Sequence, residues 1–454
     1  MPCGPTFVTP RVLIVDLFYF LASPFFVVYI FFKSRGFTRR RYRAGLAEKF
    51  GGVKTRQGDR SCLWIHAVSV GEVRTSLPLL RAILRDFSDW DVVLSTSTDT
   101  GHDVAANALR ELDRPVELIY YPLDLSWAVR RTLRAIRPTA IVLIELELWP
   151  NFLMSAKLRD VPVLVANGRL TERSAKRYGS IPLGRFLFSL PRAFAAQDEI
   201  YAHRFRDLAV PGERVEVLGN LKFDIEIPGP AFDEHVNLTR DALGWTNAVD
   251  NGRAAILLAG CSHPGEESTI LEIYRDMLSQ DPDMRLILAP RHIERCGDVL
   301  DAARRAECGT VSRWSEVSET SAPSRDLRIL VVDVIGELDR FYCLADLVFV
   351  GGTLIPHGGH NILEPARFGK PVVFGFSVDN FAQMVGHFLQ RNAAVQVQDA
   401  SDLASELDRL RSDVDARTEL GLRARDASVE LRGAVARHVE WMRRQLSTPA
   451  EREY

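Results

Sequence analysis

The sequence predicts a two-domain, doubly wound α/β protein preceded by an apolar amino-terminal segment. Three observations lead there. Short apolar runs alternate with amphipathic stretches from residue 62 to about residue 375. The rhythm lapses once, at LKFDIEIPGPAF (221–232), where two prolines and a glycine interrupt it. The 454 residues are 46% apolar and 26% charged, ordinary globular values at a length that suits two or three domains.

The first element is VLIVDLFYFLASPFFVVYIFF (12–32), 21 residues with one charge, Asp16. As a helix it would reach roughly 31 Å, close to the hydrocarbon thickness of a bilayer. Asp16 lies one turn from the start, where it can sit near the headgroups; at the bilayer centre it would cost about 2.5–3.5 kcal/mol. Pro24 would kink such a helix, which membrane helices tolerate. The flank that follows is basic: Lys33, Arg35, Arg39, Arg40, Arg41 and Arg43. By the positive-inside rule this flank faces the cytoplasm, so residues 1–43 are expected to form a single-pass anchor and collar with the bulk of the chain on the cytoplasmic side. The collar also suits anionic lipid, at about 1 kcal/mol per basic residue near the surface. The basic residues follow the apolar run and no small-residue cleavage site is present, which argues against a secretory signal peptide.

Residues 44–220 then read as a parallel α/β domain. CLWIHAV (62–68), DVVLSTS (91–97), VELIYY (116–121), AIVLIEL (140–146), VPVLVAN (161–167) and AFAAQ (193–197) are predicted strands, with helical patterns at 72–86, 124–136 and 171–187. Apolar strands alternating with helices imply a parallel sheet covered on both faces. The linker is expected at 221–232. A second series occupies 233–428: AAILLAG (254–260), MRLILAP (284–290), LRILVVD (327–333), DLVFVGG (346–352) and KPVVFG (370–375). Residues 429–454 are expected to be a closing helix and tail. Two such domains are expected to face a cleft between the carboxyl ends of their sheets, where open α/β sheets bind ligands.

The charge balance of 57 basic and 59 acidic side chains leaves a net −2, which gives no basic field for nucleic acid. The six cysteines include no C-x-x-C pair, which argues against a zinc ribbon, a redox motif or a disulfide scaffold and fits a reducing compartment.

Several strand ends carry residues suited to chemistry. The first strand runs into His66-Ala67-Val68-Ser69-Val70-Gly71-Glu72. Gly71 would permit a tight strand-to-helix turn, and an ionised Glu72 in a cleft can accept a proton from a substrate hydroxyl; acidic residues are also common in first helical turns simply for the dipole. Glu145 and Glu147 close another strand, where an i, i+2 spacing would put both carboxylates on one face; capping of the next helix is the plainer use. Gly351-Gly352-Thr353-Leu354-Ile355-Pro356-His357-Gly358-Gly359-His360-Asn361 precedes a predicted helix opening with Ile362, Leu363 and Glu364. Glycines before a helix amino terminus can bring backbone N–H groups to an anion, so the run resembles a phosphate cradle, and Glu364 is placed to accept bonds from ribose hydroxyls. The glycines between His357 and His360 argue against a helical metal pair, and no metal is expected. Arg291, after Pro290, can hold a phosphate through paired hydrogen bonds. Gly336, Glu337 and Leu338 form a further turn after a strand, and Lys222 stands at the expected linker.

Together the segments HAVSVGE (66–72), ELELWPN (145–151), ANGRLTERS (166–174), GNLKFD (219–224), CSHPGEE (261–267), LAPRHIER (288–295), IGELDRFY (335–342) and GGTLIPHGGHNILEPA (351–366) resemble the 3-deoxy-D-manno-octulosonic acid (Kdo) transferases of lipopolysaccharide synthesis. They span most of the chain in family order. The resemblance implies a glycosyltransferase B fold, two Rossmann-like domains facing a cleft. It implies transfer of Kdo from CMP-Kdo to the lipid A precursor (lipid IVA) at the cytoplasmic face of the inner membrane. By position, Glu72 matches the family's proton acceptor, and Glu145 and Lys222 match residues that stabilise the transition state. Pro290, Arg291, Gly336, Glu337, Leu338, Asn361, Ile362, Leu363 and Glu364 match the CMP site. Two positions depart from the family pattern: Leu146 where a threonine is expected, and Gly168 where alanine is usual.

The implied chemistry fits these residue types. CMP leaves as a phosphate anion, which Arg291 can oppose, and an acceptor hydroxyl needs a base, which Glu72 can supply. A carboxylate can stabilise positive charge developing at the anomeric carbon, and Lys222 can oppose negative charge on the leaving group or sugar carboxylate. One activated nucleophile suggests a single inverting displacement. Neither a cofactor nor nucleic acid is expected; the partners are CMP-Kdo, the lipid A precursor and a membrane surface. The competing readings are a two-Rossmann transferase that uses another nucleotide sugar, and a catalytically inert membrane scaffold.

Overall fold

The computed structural model describes Asp16 and residues 45–224, 230–245, 256–319 and 326–447. The chain divides into two compact units, Met1–Asp224 with Arg432–Tyr454, and Ile225–Leu431.

The first unit is built on strands β1 (Cys62–His66), β2 (Asp91–Thr96), β3 (Glu117–Tyr120), β4 (Ala140–Ile144), β5 (Val163–Gly168), β6 (Ala193–Ala196) and β7 (Val215–Val217). They pair in parallel in the order β3-β2-β1-β4-β5-β6-β7. Alternate residues of each strand enter different cores, as the two-residue period of a strand requires. Trp64, Val93, Leu143, Val165 and Phe194 pack on one face, and Leu63, Ile65, Leu94, Val142 and Leu164 on the other. Burial on both faces is why these strands read as unbroken apolar runs. The last helix, Ala434–Leu446, belongs to this unit: Val439, Trp441 and Met442 share a core cluster with Leu79, Leu80 and Ile83 of helix Val70–Asp86. Asp224 fastens its start, accepting from the N–H groups of Gly433 at 3.0 Å and Val435 at 2.7 Å.

The second unit carries β8 (Ile256–Ser262), β9 (Arg285–Pro290), β10 (Thr310–Arg313), β11 (Leu327–Val331), β12 (Leu347–Val350), β13 (Val372–Phe374) and β14 (Val395–Gln396). The order is β10-β11-β9-β8-β12-β13-β14, again all parallel. Strands β7, β10 and β14 were not evident in the sequence. All three are sheet edges of two to four residues with partly exposed side chains, so no apolar run marks them.

The expected membrane segment, 12–32, lies outside the described residues except for Asp16, and no helix among the described residues is long and apolar enough to cross a membrane. Asp16 is bound to protein, which the sequence did not foretell. Its Oδ1 accepts from the N–H of Ser126 at 3.1 Å and from Nδ2 of Asn151 at 2.8 Å. Those residues open the helices Ser126–Ile136 and Pro150–Lys157, where backbone N–H groups lack intrahelical partners and favour an anion.

Candidate functional site

In an open α/β sheet, ligands bind beyond the carboxyl ends of the strands where the strand order reverses. That point lies between β1 and β4 in the first unit and between β8 and β12 in the second. Of the expected catalytic residues, Glu72 follows β1, Glu145 follows β4 and Lys222 follows β7, and the glycine-rich run follows β12.

After β1, Ser69 caps helix Val70–Asp86. Its hydroxyl accepts from the N–H of Glu72 at 3.5 Å and donates to Glu72 Oε1 at 3.1 Å, while Glu72 Oε2 accepts from the N–H of Val68 at 2.8 Å. This is a variant of the reciprocal capping box. The capping use of Glu72 is therefore real, and it fixes the carboxylate at the sheet's edge while leaving it half-buried. Burial pushes the Glu72 carboxyl above its ordinary range and the charge of Glu145 adds to this, against the Val68 N–H, the Ser69 hydroxyl and Lys222. Gly71 does not make the turn as expected. It lies inside the helix, its φ is not positive, and the closest atom to a Cβ there would be Ser69 Oγ at 3.9 Å; the extended Ser69, at φ −120°, turns the chain instead.

After β4 the backbone leaves the strand sooner than the i, i+2 reading assumed. β4 ends at Ile144, and Glu145 takes a left-handed φ of 62°, an uncommon conformation for a side chain other than glycine. Its N–H still reaches Ala166 O at 2.9 Å. Glu145 and Glu147 thus owe their placement to this turn, not to a shared strand face. Glu145 Oε1 lies 3.4 Å from Lys222 Nζ. Glu147 accepts from the Trp149 indole at 2.9 Å. Burial, then the charge of Glu72, lifts its carboxyl to about 7, so Glu147 joins the acidic group. Leu146, the departure from the family pattern, packs against the apolar core.

Lys222 is set by a polar network that the sequence did not single out. Asn167, left-handed at φ 54°, accepts through Oδ1 from the N–H of Leu221 at 3.0 Å. Its own N–H donates to His438 Nε2 at 3.1 Å, and its carbonyl accepts from Gln197 at 3.0 Å. Gln197 accepts in turn from Asn220, which caps the turn Leu221–Phe223 that carries Lys222. The Asn-Gly pair closing a predicted strand was the available signal, since asparagine tolerates this conformation better than most residues. At Gly168, the other departure from the family pattern, an added Cβ would lie 3.1 Å from the Phe205 ring.

In the second unit the phosphate-cradle expectation is overturned in part. The N–H groups of Gly352, Thr353 and Leu354 already donate to the buried Glu266 carboxylate at 2.7, 3.0 and 3.0 Å. The helix beyond, Leu363–Ala366, is four residues long, too short for an appreciable dipole. The side chains do converge. Asn361 Nδ2 donates to Glu364 Oε1 at 3.3 Å, and Asn361 Oδ1 accepts from the N–H of Leu363 at 3.1 Å. Burial lifts Glu364 to about 6; Asp339 adds to this, while Arg367, Asn361 and Arg291 oppose it. Arg291, exposed beyond Pro290, therefore lies within electrostatic reach of Glu364. Gly336 takes φ 87° with no atom within 4 Å of an added Cβ. Glu337, expected in the nucleotide set, accepts from the Trp314 indole at 2.7 Å and pairs with Arg340 at 3.3 Å. Leu338 opens the helix Leu338–Leu344. Ile362 and Leu363 are buried apolar residues, which leaves them backbone groups and packing.

Comparison with known proteins identifies the family. A family model described as 3-Deoxy-D-manno-octulosonic-acid transferase (kdotransferase) matches residues 44–225. The chain is 32% identical over 416 residues to a 3-deoxy-D-manno-octulosonic acid transferase of Haemophilus influenzae, covering 89% of this chain and 92% of that protein. It is 31% identical to the enzyme of the same name from Chlamydophila psittaci, over 79% of each chain. Among solved structures, a glycosyltransferase from Rickettsia africae superposes with a TM-score of 0.54 at 12% identity, covering 86% of this chain and all of that one. At that identity the likeness speaks for the fold alone: two parallel-sheet α/β domains of the glycosyltransferase B kind. The ordered motifs and the relatives matched along nearly the whole chain make this protein an enzyme, a glycosyltransferase belonging to the Kdo transferase family.

Proposed function

We propose that the enzyme transfers Kdo from CMP-Kdo to a hydroxyl of the lipid A precursor, lipid IVA, in lipopolysaccharide biosynthesis. The observation that carries this reading is the grouping of Glu72, Glu145 and Lys222 at the strand-order reversal of the first unit. Glu72 takes the proton of the acceptor hydroxyl as the oxygen attacks the anomeric carbon of Kdo, and the bond to the CMP phosphate breaks with inversion. A carboxyl lifted above its ordinary range is a stronger base than a free one, and its capping bonds hold it in one orientation. Lys222, held by Glu145, offers positive charge to the sugar carboxylate or the departing phosphate. In the second unit, Arg291 is suited to the phosphate, and Asn361 and Glu364 to the ribose hydroxyls. Transfer proceeds without a metal ion, because these cationic side chains oppose the charge that a metal would.

The apolar segment 12–32 and the basic collar attach the enzyme to the cytoplasmic face of the inner membrane, where an anionic lipid acceptor resides. The test is a mass spectrum of the product formed by the full chain from CMP-Kdo and lipid IVA. A gain of one or more Kdo masses is expected. No gain, with gain from another nucleotide sugar, would overturn the assignment.

A further inference from the structure

The glycine-rich run of the second unit also assembles a histidine cluster with no part in the transfer chemistry above. His263 follows β8, and His357 and His360 follow β12, so the two neighbouring strands at the order reversal bring them together. One ring nitrogen from each lies within 4.8 Å of the others. His263 Nε2 and His360 Nε2 face one another at 2.8 Å. The His263 and His357 ring centroids are 4.0 Å apart, and those of His357 and His360 are 5.5 Å apart. The sequence argued against a pair because glycines separate His357 from His360. Those glycines instead allow it: Gly358 and Gly359 take φ of 96° and 78°, and this turn folds the two rings toward each other.

The surroundings hold the cluster. Glu266 ties both loops, accepting from the N–H of His263 at 2.9 Å as well as from Gly352, Thr353 and Leu354. Gly352, at φ 69°, leaves room that the His360 ring occupies; a Cβ there would stand 2.9 Å from it. His263 is 5% exposed, while His357 opens to solvent.

We propose that His263, His357 and His360 form a binding site for a divalent transition-metal ion of the Zn2+ type. Three imidazole nitrogens and no carboxylate suit Zn2+, Co2+ or Ni2+ and exclude Mg2+ and Ca2+, which take oxygen ligands. Tetrahedral zinc sets its nitrogen ligands about 3.4 Å apart, inside the span from 2.8 Å to 4.8 Å found here. Small ring movements would close the site and leave a fourth position open. The ion would join the β8 and β12 loops and so stabilise the second unit. It is not a requirement for transfer, whose base lies in the first unit.

The test uses the full chain in detergent, stripped with chelator and dialysed. Zn2+ is titrated in competition with a chromophoric chelator, and the melting temperature is followed with Zn2+ and with Mg2+. One tight equivalent of Zn2+ is expected, with a rise in melting temperature that Mg2+ does not give. His357→Ala, at an exposed position that tolerates truncation, should weaken binding at least tenfold. So should His360→Ala, while His203→Ala on the first unit leaves it unchanged. Co2+ should give the absorption of a tetrahedral site in the wild type and not in His357→Ala. Absence of a saturable equivalent, or Zn2+ binding that survives the double variant His357→Ala/His360→Ala, would overturn the proposal.

Discussion

Lys222 and Glu145, 77 residues apart in sequence, meet at 3.4 Å between Nζ and Oε1. The pair joins the end of β4 to the turn before the chain leaves the first unit, and both charges act on Glu72. Lys222 is nearly half exposed, so the contact adds under about 1 kcal/mol to stability. Lys222→Ala should therefore leave the melting temperature almost unchanged and lower kcat by about 10²–10³-fold, the usual loss when a preorganised charge is removed. Equal losses of fold and of activity would count against a role in the transition state.

Glu72→Gln keeps the shape and one acceptor oxygen for the Val68 N–H but removes the base. Transfer should fall by at least about 10²-fold, with circular dichroism and melting close to wild type. A variant that retains most of the transfer activity would assign Glu72 to helix capping alone. Trapping of a covalent sugar–enzyme adduct would contradict single displacement.

The pH dependence follows from two raised carboxyls. Burial holds Glu72 above its ordinary 4.5, so the acid limb of kcat/KM should lie at higher pH than for a free carboxylate. Glu147 is lifted from 4.5 to about 7 in the folded protein. Between those values the folded state binds more protons than the unfolded one, so the stabilising contribution is complete below about 4.5 and is lost as pH rises through about 7. Glu147→Gln should flatten that part of the stability curve and gain on wild type at pH 8. Urea midpoints from pH 5 to 8 would check it; an unchanged slope would refute the assignment.

Glu266 is 1% exposed and accepts four backbone N–H groups, those of His263, Gly352, Thr353 and Leu354. Each buried donor left unpaired costs about 1–3 kcal/mol. Glu266→Ala should cost at least about 3 kcal/mol by urea unfolding, with Glu266→Gln in between. A loss below about 1 kcal/mol would mean that water replaces the carboxylate freely.

The two α/β series were legible because central strands are buried on both faces and spell apolar runs, as Val92 to Leu94 do. Edge strands such as Val395–Gln396 carry no such mark. Glu72 and Glu145 stood out as carboxylates at strand ends, whereas Lys222 at the expected linker gained a role only through the family resemblance, and the structure groups all three. Their supports were hidden. The left-handed Glu145 and Asn167 depend on contacts with Ala166, Leu221 and His438, which lie 21 to 271 residues away in sequence or across a strand. The glycine-rich run misled most, because its resident anion, Glu266, is supplied by a helix 86 residues earlier. The histidine cluster was invisible for the same reason, since His263 and His360 are 97 residues apart.

The last prediction concerns the donor. If Arg291, Asn361 and Glu364 hold a cytidylate, CMP should raise the melting temperature and UDP should not do so appreciably. A ligand at 100 times its dissociation constant stabilises by about 2.7 kcal/mol. Glu364 is held partly protonated near neutrality by burial and Asp339, with Arg367, Asn361 and Arg291 opposing. Glu364→Gln keeps a neutral side chain that can bond a hydroxyl, so its CMP shift should shrink only modestly. Arg291→Ala removes the cation and should abolish most of the shift. Excess EDTA should leave both the CMP shift and transfer intact, because the phosphate is met by Arg291. Equal shifts from CMP and UDP would instead favour a transferase for another nucleotide sugar, and loss of transfer in EDTA would count against metal-free transfer.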